Sequence, residues 1–130
     1  MMTSTFQAWS QPGQELIIGP GISLDKDSHD FGQVEHAQEA KCTFTVTNVG
    51  TDALIISDCK TSCGCTVPTF SKKPMMPGES TEITVSYDTK RMGDFNKSIR
   101  IISNASNQGE YTVYIKGEII RPANYPPLDK

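Results

Sequence analysis

The stretch Ala40-Lys41-Cys42-Thr43-Phe44-Thr45-Val46-Thr47-Asn48, closed by Val49-Gly50-Thr51-Asp52, decides the fold. Cys42, Phe44 and Val46 fall on one side, and Thr43, Thr45 and Thr47 on the other. A period of two is the pattern of a strand with one buried face. Asn48 to Asp52 supplies turn chemistry. The next strand is expected over Ala53 to Cys59, with Leu54 and Ile56 opposite Ile55 and Ser57. Downstream, Thr81 to Tyr87, Phe95 to Ser103 and Glu110 to Ile119 alternate in the same way. Upstream, Ile22 to Leu24 and His29 to Val34 are further strand candidates. Lys60 to Pro68 reads as a loop, and Pro74, Pro77 and Gly78 punctuate Lys72 to Ser80. No window of ten residues has helical spacing. About seven short antiparallel strands separated by turn signals predict an all-β, two-sheet sandwich.

The chain has 130 residues, which suits one domain. It is too short for a barrel enzyme of about 250 residues. The expected organisation is a tail over 1–20, a sandwich over 21–120 and a Pro-rich tail over 121–130. A net charge of −3 argues against a nucleic-acid partner. No apolar run reaches the roughly 18 residues of a membrane span. Met1 to Pro20 lacks a basic region followed by a long apolar core, so either the protein is cytoplasmic or an export signal was removed. With the signal would have gone any lipid anchor. Trp9, in this tail, is read as an ordinary exposed residue.

Four cysteines are present, and Cys59, Cys63 and Cys65 cluster as Cys-x3-Cys-x-Cys while Cys42 stands apart. Three full pairings are possible, and the sequence does not choose among them. In the structural reading they are small core hydrophobes. Cys42 begins one strand and Cys59 ends the next, so a bridge or contact between them is reasonable, and Gly64 lets the loop turn tightly. In the metal reading, soft thiolates select copper(I) or zinc. A one-residue gap is short for zinc. Copper(I) also takes thioethers, so Cys59, Cys63, Cys65, Met75 and Met76 form its candidate set, with His29 and His36 as extra candidates. The plainer reading of the two methionines is core filling. In the redox reading, Cys63–Cys65 closes a very small ring of the labile kind. Lys60, Lys72 and Lys73 would lower a thiol pKa if they fold close. A Cys-x-x-Cys beside a βαβ unit is not present.

No nucleophile elbow or phosphate loop occurs. His29 is read as a strand-entry residue with a local hydrogen bond, Asn48 and Asn104 as turn caps, and Glu79 and Glu82 as surface charge.

The order His29-Asp30-Phe31-Gly32-Gln33-Val34, Phe44-Thr45-Val46-Thr47-Asn48-Val49-Gly50, Leu54-Ile55-Ile56, Ser62-Cys63-Gly64-Cys65-Thr66, Lys73 to Ser80, Gly93-Asp94-Phe95, Ser103-Asn104 and Gly117-Glu118 closely resembles the DUF1573 family. This is an uncharacterised bacterial family common in Bacteroidetes, and the match covers roughly Ile22 to Ile120. The resemblance implies an immunoglobulin-like sandwich similar to the major sperm protein, PapD and ASH group. It also implies export, as a periplasmic protein or lipoprotein of the cell envelope, and it brings no established activity. Cys42 and Cys59 depart from positions where the family favours apolar residues. The expected function is a non-enzymatic module, without a cofactor, that binds an unidentified protein or supports structure. Cys63, Gly64, Cys65 and Thr66 are its candidate binding residues. Strand addition at an open edge is the expected mode, at the first strand near Ile22 or the last, Glu110 to Ile119. The alternative is a thiol site, copper(I)-binding or redox-active, on the cysteine loop.

Overall fold

A computed structural model describes residues 16–121. Trp9 and the Pro-rich tail beyond Arg121 lie outside the described residues. Eight strands follow one another: β1 (Ile22–Leu24), β2 (Ser28–Glu35), β3 (Ala40–Asn48), β4 (Ile56–Thr61), β5 (Thr66–Thr69), β6 (Ser80–Tyr87), β7 (Gly93–Ser103) and β8 (Glu110–Ile120). They form two four-stranded sheets, in the orders β1-β3-β6-β5 and β2-β8-β7-β4. The sandwich expected from the alternating pattern is therefore the fold.

Its core follows from the same alternation. Cys42, Phe44 and Val46 of β3 face Ile99 and Ile101 of β7 and Val113 and Ile115 of β8, and all are buried. Ile83 and Val85 of β6 complete that inner layer. Each such side chain fully buried is worth about 1.5–3 kcal/mol.

Three details differ from the sequence reading. There are eight strands, because Thr66–Thr69 is a strand and the loop is shorter than Lys60 to Pro68. Pro68 disguised it, since proline is excluded from strand interiors but tolerated at a sheet edge. The expected strand Ala53 to Cys59 is divided: Leu54 makes an isolated bridge to Met75, and β4 begins at Ile56. A bulge between Ile56 and Asp58 then resets the phase, so Ile56 and Cys59 both point inward although they are three residues apart. Finally, β2 pairs with β8 in parallel. After β1 the chain crosses to the other sheet without reversing direction, and the outcome is a parallel edge pair. A second bulge, between Asp30 and Gln33, bends β2, with Gly32 at φ 68° and its N–H bonded to Asp30 Oδ1 at 2.8 Å.

All four sheet edges are blunted. Asn107 seals β1 with a main-chain-like pair: its Oδ1 accepts from Ile22 N at 3.0 Å and its Nδ2 donates to Ile22 O at 3.1 Å. In β5, Asp88 N donates to Cys65 O at 2.8 Å, which sets the phase so that Pro68 presents its missing N–H to the open side. In β4 the Cys59 N–H is taken by Asp58 Oδ1 at 2.8 Å. In β2 the bulge interrupts the edge. These are the devices by which sheets avoid pairing with other chains. The last strand is not an edge at all, since β8 lies between β2 and β7. That corrects one of the two strand-addition sites expected above, and Asn107 closes most of the other.

Candidate functional site

Chemistry-bearing residues collect at the two opposite ends of the sandwich. One end holds the cysteine loop between β4 and β5. Thr61 Oγ1 donates to Cys63 O at 3.0 Å, and Thr66 N donates to the same oxygen at 3.3 Å. The chain therefore folds back within a few residues, and Cys63 and Cys65 are joined in a disulfide. The Cys65 N–H points at Cys63 Sγ, 3.2 Å away. Cys63 is half-buried against the core, whereas Cys65 and Thr66 are buried. The Thr66 hydroxyl has no hydrogen-bond partner among the described residues. Gly64 is exposed and its φ is not positive, and a Cβ there would meet nothing within 4 Å. The loop does not need a glycine at that point for steric reasons.

Cys59 and Cys42 are free and buried. They stand on different sheets and are not bridged to each other. Burial, reinforced by the Asp58 carboxylate, pushes the Cys59 thiol up to about 12. Burial also raises Cys42, opposed by Lys26. Neither thiol is a ready nucleophile or ligand at neutral pH.

The residues proposed for copper are not brought together. Met75 is buried at the far end, where its main chain bridges to Leu54, and Met76 beside it is exposed. The full length of β6 separates that end from Cys65, which meets Asp88 just past Tyr87. Among the described residues no group of three or more His, Cys, Asp or Glu side chains is placed to hold a metal ion. His29 enters β2 with Nδ1 3.2 Å from Lys26 Nζ and its ring edge-on to Phe31. Partial burial and then Lys26 lower its pKa, against Asp30. That is the local bond expected of a strand-entry histidine.

The other end is built on Asn48, which the sequence reading took only as a turn cap. Its side chain is buried and fully paired. Nδ2 donates to Asp52 O at 2.7 Å and Met75 O at 2.9 Å, while Oδ1 accepts from Gly50 N at 2.9 Å and Gly21 N at 3.3 Å. Its main chain adds bonds from Gly78 N and to Glu79 O, both at 2.9 Å. One residue thus ties together the β3–β4 turn, the segment before β1 and the approach to β6. The signal was present in the alternation: Asn48 has the parity of Phe44 and Val46, so a polar side chain there must be buried and satisfied. Gly50 packs so closely on the Gly19–Gly21 main chain that a Cβ would collide with Gly19 O and Gly21 N.

On these tied segments stand five exposed large apolar side chains: Leu16, Ile18, Val49, Ile55 and Met76. Ile17 bridges Gly50, Ser106 Oγ holds Ile18 O at 2.8 Å, and Asn104 holds the Ile55 N–H at 2.8 Å. They belong to one end of the sandwich through these bonds. Sequence inspection missed them because they come from three separate segments.

Comparison with known proteins is consistent with this architecture. A protein of unknown function from Porphyromonas gingivalis W83 superposes with a TM-score of 0.71 at 20% identity, over 82% of this chain and 50% of that one. This chain therefore spans half the length of that relative. The ASH/PapD-like domain 7 of human CEP192 gives 0.62 at 9% identity, over 92% and 99%. The YadV chaperone gives 0.51 at 11% identity, over 82% and 54%. At these identities the likeness is one of fold. None of the curated proteins matches the sequence. The profile of DUF1573, "protein of unknown function", matches residues 22–119, and the chain belongs to that family.

Proposed function

We propose that this chain is a non-catalytic β-sandwich module that binds another protein in a bacterial envelope, and that it does so through the Asn48 end. The observation that carries this reading is the set of five exposed apolar side chains on segments that Asn48 and its neighbours join by hydrogen bonds. Apolar side chains on a preorganised surface bind with little ordering cost. The blunted edges disfavour strand addition, which leaves an end surface as the mode. The fold shared with the YadV chaperone supports protein binding by analogy of fold. The closed Cys63–Cys65 bond supports an oxidising compartment.

A photo-crosslinking residue at position 49, in native cells, is expected to give a discrete protein adduct that the same probe at position 92 does not give. Adducts at 92 alone would overturn the reading. So would adducts at neither position if the purified protein turns over a thiol substrate.

A second reading has its own observation. The Cys63–Cys65 pair is closed across a single intervening residue, with Cys63 only partly buried. Such a pair is suited to thiol–disulfide exchange. Loss of the bond in the folded protein at a mild thiol concentration supports it.

A further inference from the structure

The two cysteines of the loop are not equally buried. Cys63 is half-buried, whereas Cys65 is buried at 7% exposure. An attacking thiolate must approach one sulfur along the S–S axis, so access decides which is attacked. The Cys65 N–H lies 3.2 Å from Cys63 Sγ, so it favours the Cys63 thiolate in the steps where that sulfur attacks an external disulfide or is released from one. Bonds from the Thr61 hydroxyl and from the Thr66 and Asp88 N–H groups hold the loop on both sides of the pair.

We infer that Cys63 is the sulfur that exchanges with an external thiol or disulfide, and that Cys65 is its resolving partner. The inference rests on the redox reading of this loop. In the reducing direction an external thiolate attacks Cys63 Sγ. The new bond joins that thiol to Cys63, the Cys63–Cys65 bond breaks, and Cys65 leaves as a thiolate. A second external thiolate attacks the sulfur of the first, releases an external disulfide and leaves Cys63 as a thiolate. Each protein thiolate takes a proton from solvent, and the protein gains two electrons from the two thiols. In the oxidising direction the Cys63 thiolate attacks an external disulfide, and Cys65 then displaces the bound thiol. Burial makes Cys65 the poorer leaving group, so its departure limits the first step of reduction.

The test uses the full chain and glutathione. Oxidised protein is mixed with reduced glutathione, quenched in acid, and the adduct is located by fragment mass spectrometry. Glutathione on Cys63 is expected, and glutathione on Cys65 overturns the inference while leaving the redox reading standing. A bond that resists glutathione in folded protein but yields once the protein is unfolded overturns the redox reading itself. As a second measurement, folded Cys65→Ser should take up glutathione from its disulfide at least about tenfold faster than folded Cys63→Ser, because access sets the ratio. Equal or reversed rates overturn the assignment.

Discussion

Asn48 holds four main-chain groups from three segments with one buried amide. Asn48→Ala should therefore lower unfolding free energy by on the order of 3 kcal/mol, since a buried group left unpaired costs about 1–3 kcal/mol. Urea denaturation with an unchanged m-value is the check, and a loss below measurement error would mean that water replaces the amide. Cys59 gives a pH signature. Its folded pKa is raised to about 12 from an ordinary value of 9.0, so between those pH values the unfolded chain loses a thiol proton that the folded chain keeps. Fewer protons on the unfolded state means that stability falls as pH rises in that window, and is fully retained below it. The fall between pH 8.5 and 10.5, values chosen to lie about the lower half of the window, should be steeper in the native protein than in Cys59→Val. Parallel slopes would contradict a buried neutral thiol. At this scale the sequence was partly legible. Cys63 and Cys65 stood out by spacing, and their pairing was one of the readings. Core filling, the plainer reading of the two methionines, fits the buried Met75 and not the exposed Met76, and the bridge to Leu54 that seats Met75 is encoded by no local pattern.

At the scale of elements, alternation located β1, β3, β6, β7 and β8 to within about two residues, the usual slack of a strand end. It failed where the chain breaks its own period. Pro68 hid β5, the bulge at Ser57 shifted the inward face of β4, and the parallel pairing of β2 depends on a crossing between sheets that only tertiary packing fixes. The edge devices predict a behaviour of their own. Pro68→Val puts an N–H on the open side of β5, and Asn107→Ala uncovers the Ile22 N–H and C=O on β1. The double variant should self-associate with rising concentration in light scattering, while the native chain scatters in proportion to its mass. A double variant as dispersed as the native chain would show that these edges need no protection. Gly50→Ala tests the other packing constraint. A Cβ meets Gly19 O and Gly21 N, so the segment before β1 must move away. Faster hydrogen exchange at the amides of Gly21 and Val49, with the β7–β8 amides unaffected, is the expected result.

For the whole molecule, the two sheets act as a spacer with different chemistry at each end. The disulfide loop lies at one end, beside the β6–β7 turn where Met92 is exposed. Asn48 and the apolar side chains lie at the other. The described residues contain no helix, and so none long and apolar enough to cross a membrane. The central claim is that the Asn48 end is the binding surface. The most direct measurement is calorimetric titration of the partner captured at position 49 against the native chain, Val49→Asp, Met76→Asp and Met92→Asp. The account predicts at least about tenfold weaker binding, or roughly 1.4 kcal/mol, for each change at the Asn48 end, and none for Met92→Asp. Full affinity in Val49→Asp and Met76→Asp, with loss in Met92→Asp, would contradict it.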